Sequence, residues 1–301
     1  MGSAAQRGAS SVGLRVEISE RQRRFGEELR RMRLATGLSA PEAGAAVGIK
    51  GPAVSHTEAG RLSLNTERLE RWMDACGCDD PGYRAALISM GRATGRGWWT
   101  GFKAHAHPSA LDLAEFEATA AALDTYETLL IPGLLQIEPY ARVILKTASE
   151  TESRLRFRME RQKVLHGENP PTLHAVIHEA ALHTRYGGAA VMRKQLHHLI
   201  EMSRLPHITI QILPSDCTQY TMTEATFIIV GAAHPLLDTV LMEHPAGSVY
   251  WGEPEAVAKY RENFAELAGL ALPPLEVDES GRLPARRDSW GLIQHILYKL
   301  Y

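Results

Sequence analysis

Four residues bunch in a way that suggests metal chemistry: His174, His178, Glu179 and His183. A helical zinc hydrolase site needs two histidines four residues apart, with a glutamate beside the first. Here His178 and His183 are five apart, which swings the second ligand off the helix face. The expectation is therefore ordinary surface or core histidines and no metal. His197-His198 points two ways on a helix, and His105-x-His107 sits near the expected domain boundary. Ser215-Asp216 could mimic a catalytic loop, but turn residues belong after a strand in any case. No glycine-rich phosphate loop follows a strand, and no Gly-x-Ser-x-Gly elbow occurs. Neither an enzyme nor a cofactor is expected. A metal-dependent enzyme built on His174, His178 and His183 is the reading that metal content would test.

A second polar set is Tyr126, Glu127 and Gln136, framing a Pro132-Gly133 break between two expected helices. Such residues either line a ligand pocket or cap the freed helix ends. Trp98 and Trp99 sit among four glycines over 91–101, and either plug a hinge or lid that pocket.

The strongest pattern is LSAPEAGAAVGIKGPAVSHTEAGR, residues 38–61. Ser39 can cap a helix whose apolar face is Ala43, Ala46 and Val47. Gly48 permits a turn, Ile49 fills the angle, and a second helix carries Val54 inward to end at Gly60. Small residues where two helices nearly touch, with polar residues outside, suit insertion into the DNA major groove. Lys50, Gly51, Pro52, Ser55 and His56 then face base edges. Arg61, with Arg31 or Arg33 from the preceding helix, would meet phosphates, and Ser39 is a further DNA-contact candidate.

These elements need a frame. A chain of 301 residues, 45% hydrophobic and 23% charged, suits about two soluble domains. Its net charge of −2 conceals an asymmetry. Residues 1–95 hold 14 Arg and Lys against 11 Asp and Glu, and the remainder 19 against 24. A basic front on an acidic body suits a DNA-reading head. Cys76, Cys78 and Cys217 provide no disulfide framework and fit a reducing cytoplasm. The opening residues lack an apolar stretch, Gln6 spoils a myristoylation start, and no apolar run would span a membrane.

The fold expected is an all-α five-helix helix-turn-helix domain over 19–94, then an α+β domain over 95–301 with helices around a small sheet. Residues 1–18 are expected to be disordered. In the second domain, helices are predicted over 111–130, 134–148, 153–166, 189–203 and 253–267, with a last one in 288–301. Strands are predicted over 173–177, 208–213, 225–230 and 239–243, with 248–251 a further candidate, giving a sheet of three to five.

The head, LxxxxGLSAxEAGxxVGIxxxAVSxxEAGR, resembles the lambda-repressor-like, or xenobiotic-response-element, regulators. That family commonly places Gln at two contact positions that here are Ala40 and Gly51. The resemblance therefore implies weaker or more shape-dependent reading of DNA. The second domain carries Gly97-Trp98-Trp99, then 126–136 (YETLLIPGLLQ), Tyr140-Ala141-Arg142, Arg158 with Glu160-Arg161-Gln162, 179–182 (EAAL), Gln195-Leu196 and 210–214 (IQILP). This order resembles the actinobacterial regulators in which such a head precedes a domain of unassigned function, DUF5753, called antitoxin-like. The resemblance implies a transcription factor on double-stranded DNA, often encoded beside a small partner protein. A homodimer is expected, with the second domain sensing that partner or a small-molecule effector. An antitoxin-type interaction module with autoregulatory DNA binding is the alternative. The tail departs from the family in a longer polar insert before the helix of 290–301.

Overall fold

The computed structural model describes residues 14–15, 17–146, 151–219, 225–244, 247–276 and 287–301. Most of the expected disordered segment 1–18, and most of the polar insert after Pro274, lie outside the described residues. The chain divides into two units, Met1–Gly95 and Arg96–Tyr301.

The first unit is five helices: α1 (Glu20–Ala35), α2 (Ala40–Val47), α3 (Gly51–Glu58), α4 (Thr66–Ala75) and α5 (Pro81–Gly91). The helix starts are written in the sequence. Ser19 with Gln22, and Ser39 with Glu42, form capping boxes that satisfy orphan backbone N–H groups at both ends of the exchange. Asn65 and Asp80 cap α4 and α5. Phe25, Leu29, Val47, Val54, Leu69, Trp72, Met73 and Leu87 make the core. One expectation fails here. Ala46 is exposed, and the inward positions of α2 are Ala43, Gly44 and Val47.

The second unit wraps a six-stranded mixed sheet. Its strands are β1 (Ala122–Glu127), β2 (Thr172–His178), β3 (Ile208–Leu213), β4 (Phe227–Gly231), β5 (Thr239–Met242) and β6 (Val249–Trp251). Their order is β3-β2-β1-β4-β5-β6. The first three run parallel, and β4 to β6 join them antiparallel. The helices are α6 (Pro108–Glu117), α7 (Glu138–Leu145), α8 (Thr151–Gln162), α9 (Glu179–His183), α10 (Ala189–Met202), α11 (Pro254–Leu270) and α12 (Ser289–Tyr298).

Alternation sorts the side chains to two faces. Leu123, Leu173, Ala175, Ile177, Ile210, Ile212 and Val230 join the core that also holds residues of α7, α10 and α12. Tyr126, Val176, Phe227, Ile229 and Val240 pack instead with Val257, Phe264 and Leu267 of α11.

The helix predicted over 111–130 is corrected. It ends at Glu117, and residues 122–127 form β1, the strand that joins the parallel and antiparallel halves. The alanine-rich stretch 118–122 holds no glycine or proline, so local composition does not mark the break. Backbone pairing to both β2 and β4 decides it. The sheet accordingly has one strand more than the three to five predicted. The helix predicted over 134–148 is a 3-10 turn, Gly133–Leu135, followed by α7.

Candidate nucleic-acid interface and a charged cavity

The turn between α2 and α3 depends on close backbone approach. A Cβ on Gly44 would lie 2.6 Å from the Ile49 carbonyl oxygen and 3.1 Å from Val54 Cγ2. A Cβ on Gly26 of α1 would lie 2.5 Å from the Glu58 carbonyl oxygen and 2.6 Å from the Gly60 nitrogen. So α3 is held on two sides by glycine contacts, with Val54 and Thr57 fully buried behind it. Its other side carries Lys50, Pro52, Ser55 and, just past the helix, Arg61, all exposed, with Gly51 and His56 half-buried. Lys50 is the N-cap residue and makes no side-chain capping bond. Neither it nor Arg61 has an ion pair among the described residues.

Two residues expected on phosphates are engaged elsewhere. Arg33 is 9% exposed and grips the Glu58 carboxylate with two nitrogens, one at 3.0 Å, while Nη1 donates to the Leu38 carbonyl at 2.8 Å. It ties α1 to the end of α3 and is no phosphate contact. Arg31 is less deeply held. It donates to Glu28 from Nε at 3.1 Å and from Nη2, and its side chain is 39% exposed. Glu28 is itself fully buried and also receives Arg24 at 2.8 Å and the Tyr83 hydroxyl. Burial alone would raise the Glu28 carboxyl. The Arg31 hydrogen bonds and the Arg24 charge outweigh it and hold that group below the usual carboxylate range. Ser39 is exposed, but its hydroxyl bonds Glu42 at 2.5 Å within the capping box. Sequence spacing did not reveal the acids Glu28 and Glu58 as partners. For Glu28 the only signal was a glutamate four residues after Arg24 and three before Arg31.

In the second unit a cavity of about 90 Å³ opens where β1 ends. Glu117 from α6, Glu127 from β1, Gln136, Arg158 and Arg161 from α8, and Glu243 just past β5 supply its polar lining. Leu123, Leu134, Ile144, Leu173 and Ile228 supply apolar wall. Buried amides shape the loop between β1 and α7. Gln136 Nε2 donates to the Ile131 carbonyl at 2.7 Å, and Gln195 Nε2 to the Leu135 carbonyl at 2.7 Å. Gln162 donates to the Gly133 and Gln136 carbonyls at 3.0 and 2.7 Å, and the Ile131 N–H donates to the Tyr140 hydroxyl at 3.2 Å.

The charges around the cavity are unevenly matched. Arg161 grips Glu117 bidentately at 2.8 and 2.7 Å. Burial opposes the Arg161 charge, but Glu117 more than restores it. Arg158 donates from Nη1 to the Gln136 amide oxygen at 2.6 Å. Burial, and then the neighbouring Arg161 charge, pull its guanidinium down to about 10. The Glu127 carboxyl has no hydrogen bond or ion pair among the described residues. Burial, and then the Glu243 charge, push its carboxyl up to about 8 against the pull of Arg158.

Of the five pocket residues expected from sequence, Glu127 and Gln136 line this cavity. Tyr126 does not. It lies on β1 beside Glu127, and neighbouring strand residues face opposite ways, so its ring is buried on the α11 side. Trp98 and Trp99 are also elsewhere, in a 3-10 turn where Trp99 packs with Ala114 and Phe157 and Trp98 stacks edge-on against Trp99 and Phe102. Sequence reasoning missed the cavity's two arginines, Arg158 and Arg161, and its glutamates Glu117 and Glu243. The signal available was the run Arg158-x-Glu160-Arg161-Gln162, whose charges recur at helical spacing toward one side.

The histidine set disperses. His174 bonds Gln211 at 2.7 Å, His178 caps α9, and His183 pairs with Glu179 on that helix's surface. No helix is long and apolar enough to cross a membrane among the described residues. Two family models match the chain. A helix-turn-helix domain covers residues 24–87, and a domain of unknown function, DUF5753, covers residues 110–278. No curated protein and no solved structure matches it.

Proposed function

The chain belongs to the DUF5753 family and opens with a helix-turn-helix domain, and from that premise we propose that it is a sequence-specific transcriptional regulator acting as a homodimer in the cytoplasm. The observation that carries the reading is α3. Its back is locked by Gly44, Val54 and Gly26, and its free side offers Lys50, Pro52, Ser55 and Arg61 to a groove. Lys50 and Arg61 contact phosphate, while Ser55 and His56 meet base edges. A two-fold dimer places two such helices one helical turn of DNA apart. The second unit receives the signal. A cavity lined by a buried carboxyl without a side-chain partner favours a small-molecule effector over a small protein partner encoded nearby.

Selection of genomic fragments by the full chain, followed by affinity across a salt series, tests this. A single enriched near-palindromic site is expected. Lys50→Ala with Arg61→Ala should weaken binding to it and flatten the salt slope by up to about 2 per protomer, roughly 0.9 for each phosphate no longer neutralised. An unchanged affinity and slope would refute the docking.

A further inference from the structure

Building on the reading of the cavity as an effector site, we propose that it binds a small organic amine with an apolar body and a hydrogen-bond-accepting group near the far end. Several polar groups of the lining are already satisfied. Glu117 and Arg161 satisfy each other. Both ends of the Gln136 amide are used, on Arg158 and on the Ile131 carbonyl. What remains is Glu127, Glu243 and most of the Arg158 fork, which has five donors and places one on a neutral amide.

The sheet fixes how the two carboxylates stand. Tyr126 pairs with Phe227, and Ile228 with Leu241. Extending the first register by one residue and the second by two brings Glu127 and Glu243 level with each other, both opposite Thr226 just before β4. In antiparallel pairs level residues share a face, so both point to the cavity side of the sheet. Two strand spacings put their backbones about 10 Å apart, a gap that one ammonium bridges with two long side chains reaching inward.

The surplus around this space is acidic, two carboxylates against one guanidinium. An anion would meet Arg158 only by facing both Glu127 and Glu243. A bare divalent cation is poorly served, because no group of three acidic, histidine or cysteine residues could hold a metal among the described residues. An ammonium relieves the cost of a carboxylate set against Leu123, Leu134 and Ile228. Arg158 then meets a hydroxyl or carboxylate on the same ligand. The volume is below the roughly 150 Å³ that holds benzene, a ring of six heavy atoms, so the enclosed part has no more than about five heavy atoms.

A protonated Glu127 competes with the amine for the same charge. The charged groups facing it are Glu243, Arg158, Arg161 and Glu117. With its carboxyl pushed up to about 8, amine affinity rises with pH toward that value and binding releases a proton.

Calorimetric titration of the full chain with butylammonium, 4-aminobutyrate, butyrate and 1-butanol tests the proposal. The two amines are expected to bind and the others not, with 4-aminobutyrate the tighter. Glu127→Gln should weaken both amines at least tenfold and abolish the proton release. If that variant does not fold, Glu243→Gln, at an exposed position, should show the same loss of amine affinity with a smaller proton release, because it removes the charge that helps raise Glu127. Butyrate binding as well as the amines, amine binding indifferent to both variants, or no amine binding would each overturn the proposal. Operator affinity is measured on the same preparation. Loss of amine binding with intact operator recognition removes this site and leaves the regulator standing. Amine binding without any operator recognition does the reverse.

Discussion

Gly44→Ala and Gly51→Ala are the same chemical change at neighbouring helices of one motif, with opposite expected signs. In a helix interior the change gains about 0.5–1 kcal/mol, because alanine loses less backbone entropy than glycine. At Gly51, the first residue of α3, an added Cβ meets nothing within 4 Å, so part of that gain survives. At Gly44 the new carbon would stand 2.6 Å from the Ile49 carbonyl oxygen, a backbone atom that moves only if the turn moves. Overpacking of this kind costs about 1–3 kcal/mol. The clash outweighs the propensity gain, for a net loss of about 1–2 kcal/mol, or roughly a 5- to 30-fold rise in local opening. Peptide-resolved amide hydrogen exchange on the full chain reads this without assuming that the two units unfold together. Peptides from α2 and α3 should lose protection in Gly44→Ala and keep or gain it in Gly51→Ala, with the second unit unchanged in both. Equal or greater protection in Gly44→Ala would refute the idea that backbone contact fixes the turn.

Arg33→Met should destabilise the head by about 3–5 kcal/mol, because it strands the Glu58 carboxylate, and Arg33→Met with Glu58→Leu should recover much of that loss in the same exchange experiment. Glu127 carries a pH signature in stability. Its carboxyl is raised in the folded chain, so the folded state keeps a proton that the unfolded state has lost, and stability falls as pH rises from about 4.3 toward 8, then levels. Glu127→Gln removes that fall, so its stability advantage, read as a Tm difference, should grow across the same window; a pH-independent difference would refute the assignment. For operator binding, a dimer presenting Lys50 and Arg61 twice should show a log–log salt slope of about −3 to −4, and a slope beyond about −6 would mean that the paired arginines also reach phosphate.

The elements legible in the sequence are those whose cause is local. Ser19 with Gln22 and Ser39 with Glu42 announce two helix starts, and the β-branched run 208–213 is β3. What stayed hidden depends on partners far along the chain. β1 reads as helix until β2 and β4 pair with it, 50 and about 105 residues on. Once it is a strand, Tyr126 and Glu127 must part to opposite faces, which no helical reading of 111–130 could foresee. Arg158 finds Gln136 22 residues away, and Arg33 finds Glu58 25 away. That last pairing changes what the head's charge means. Arg23, Arg24, Arg31, Arg33, Arg71 and Arg84 each pair with an acid of the same unit. A basic excess counted from sequence therefore overstates the charge offered to DNA. Lys50 and Arg61, few as they are, sit where α3 begins and just beyond where it ends. The proposed docking would therefore lean on groove shape and on the fit of a short helix opened by Gly51 and Pro52 more than on counterion release.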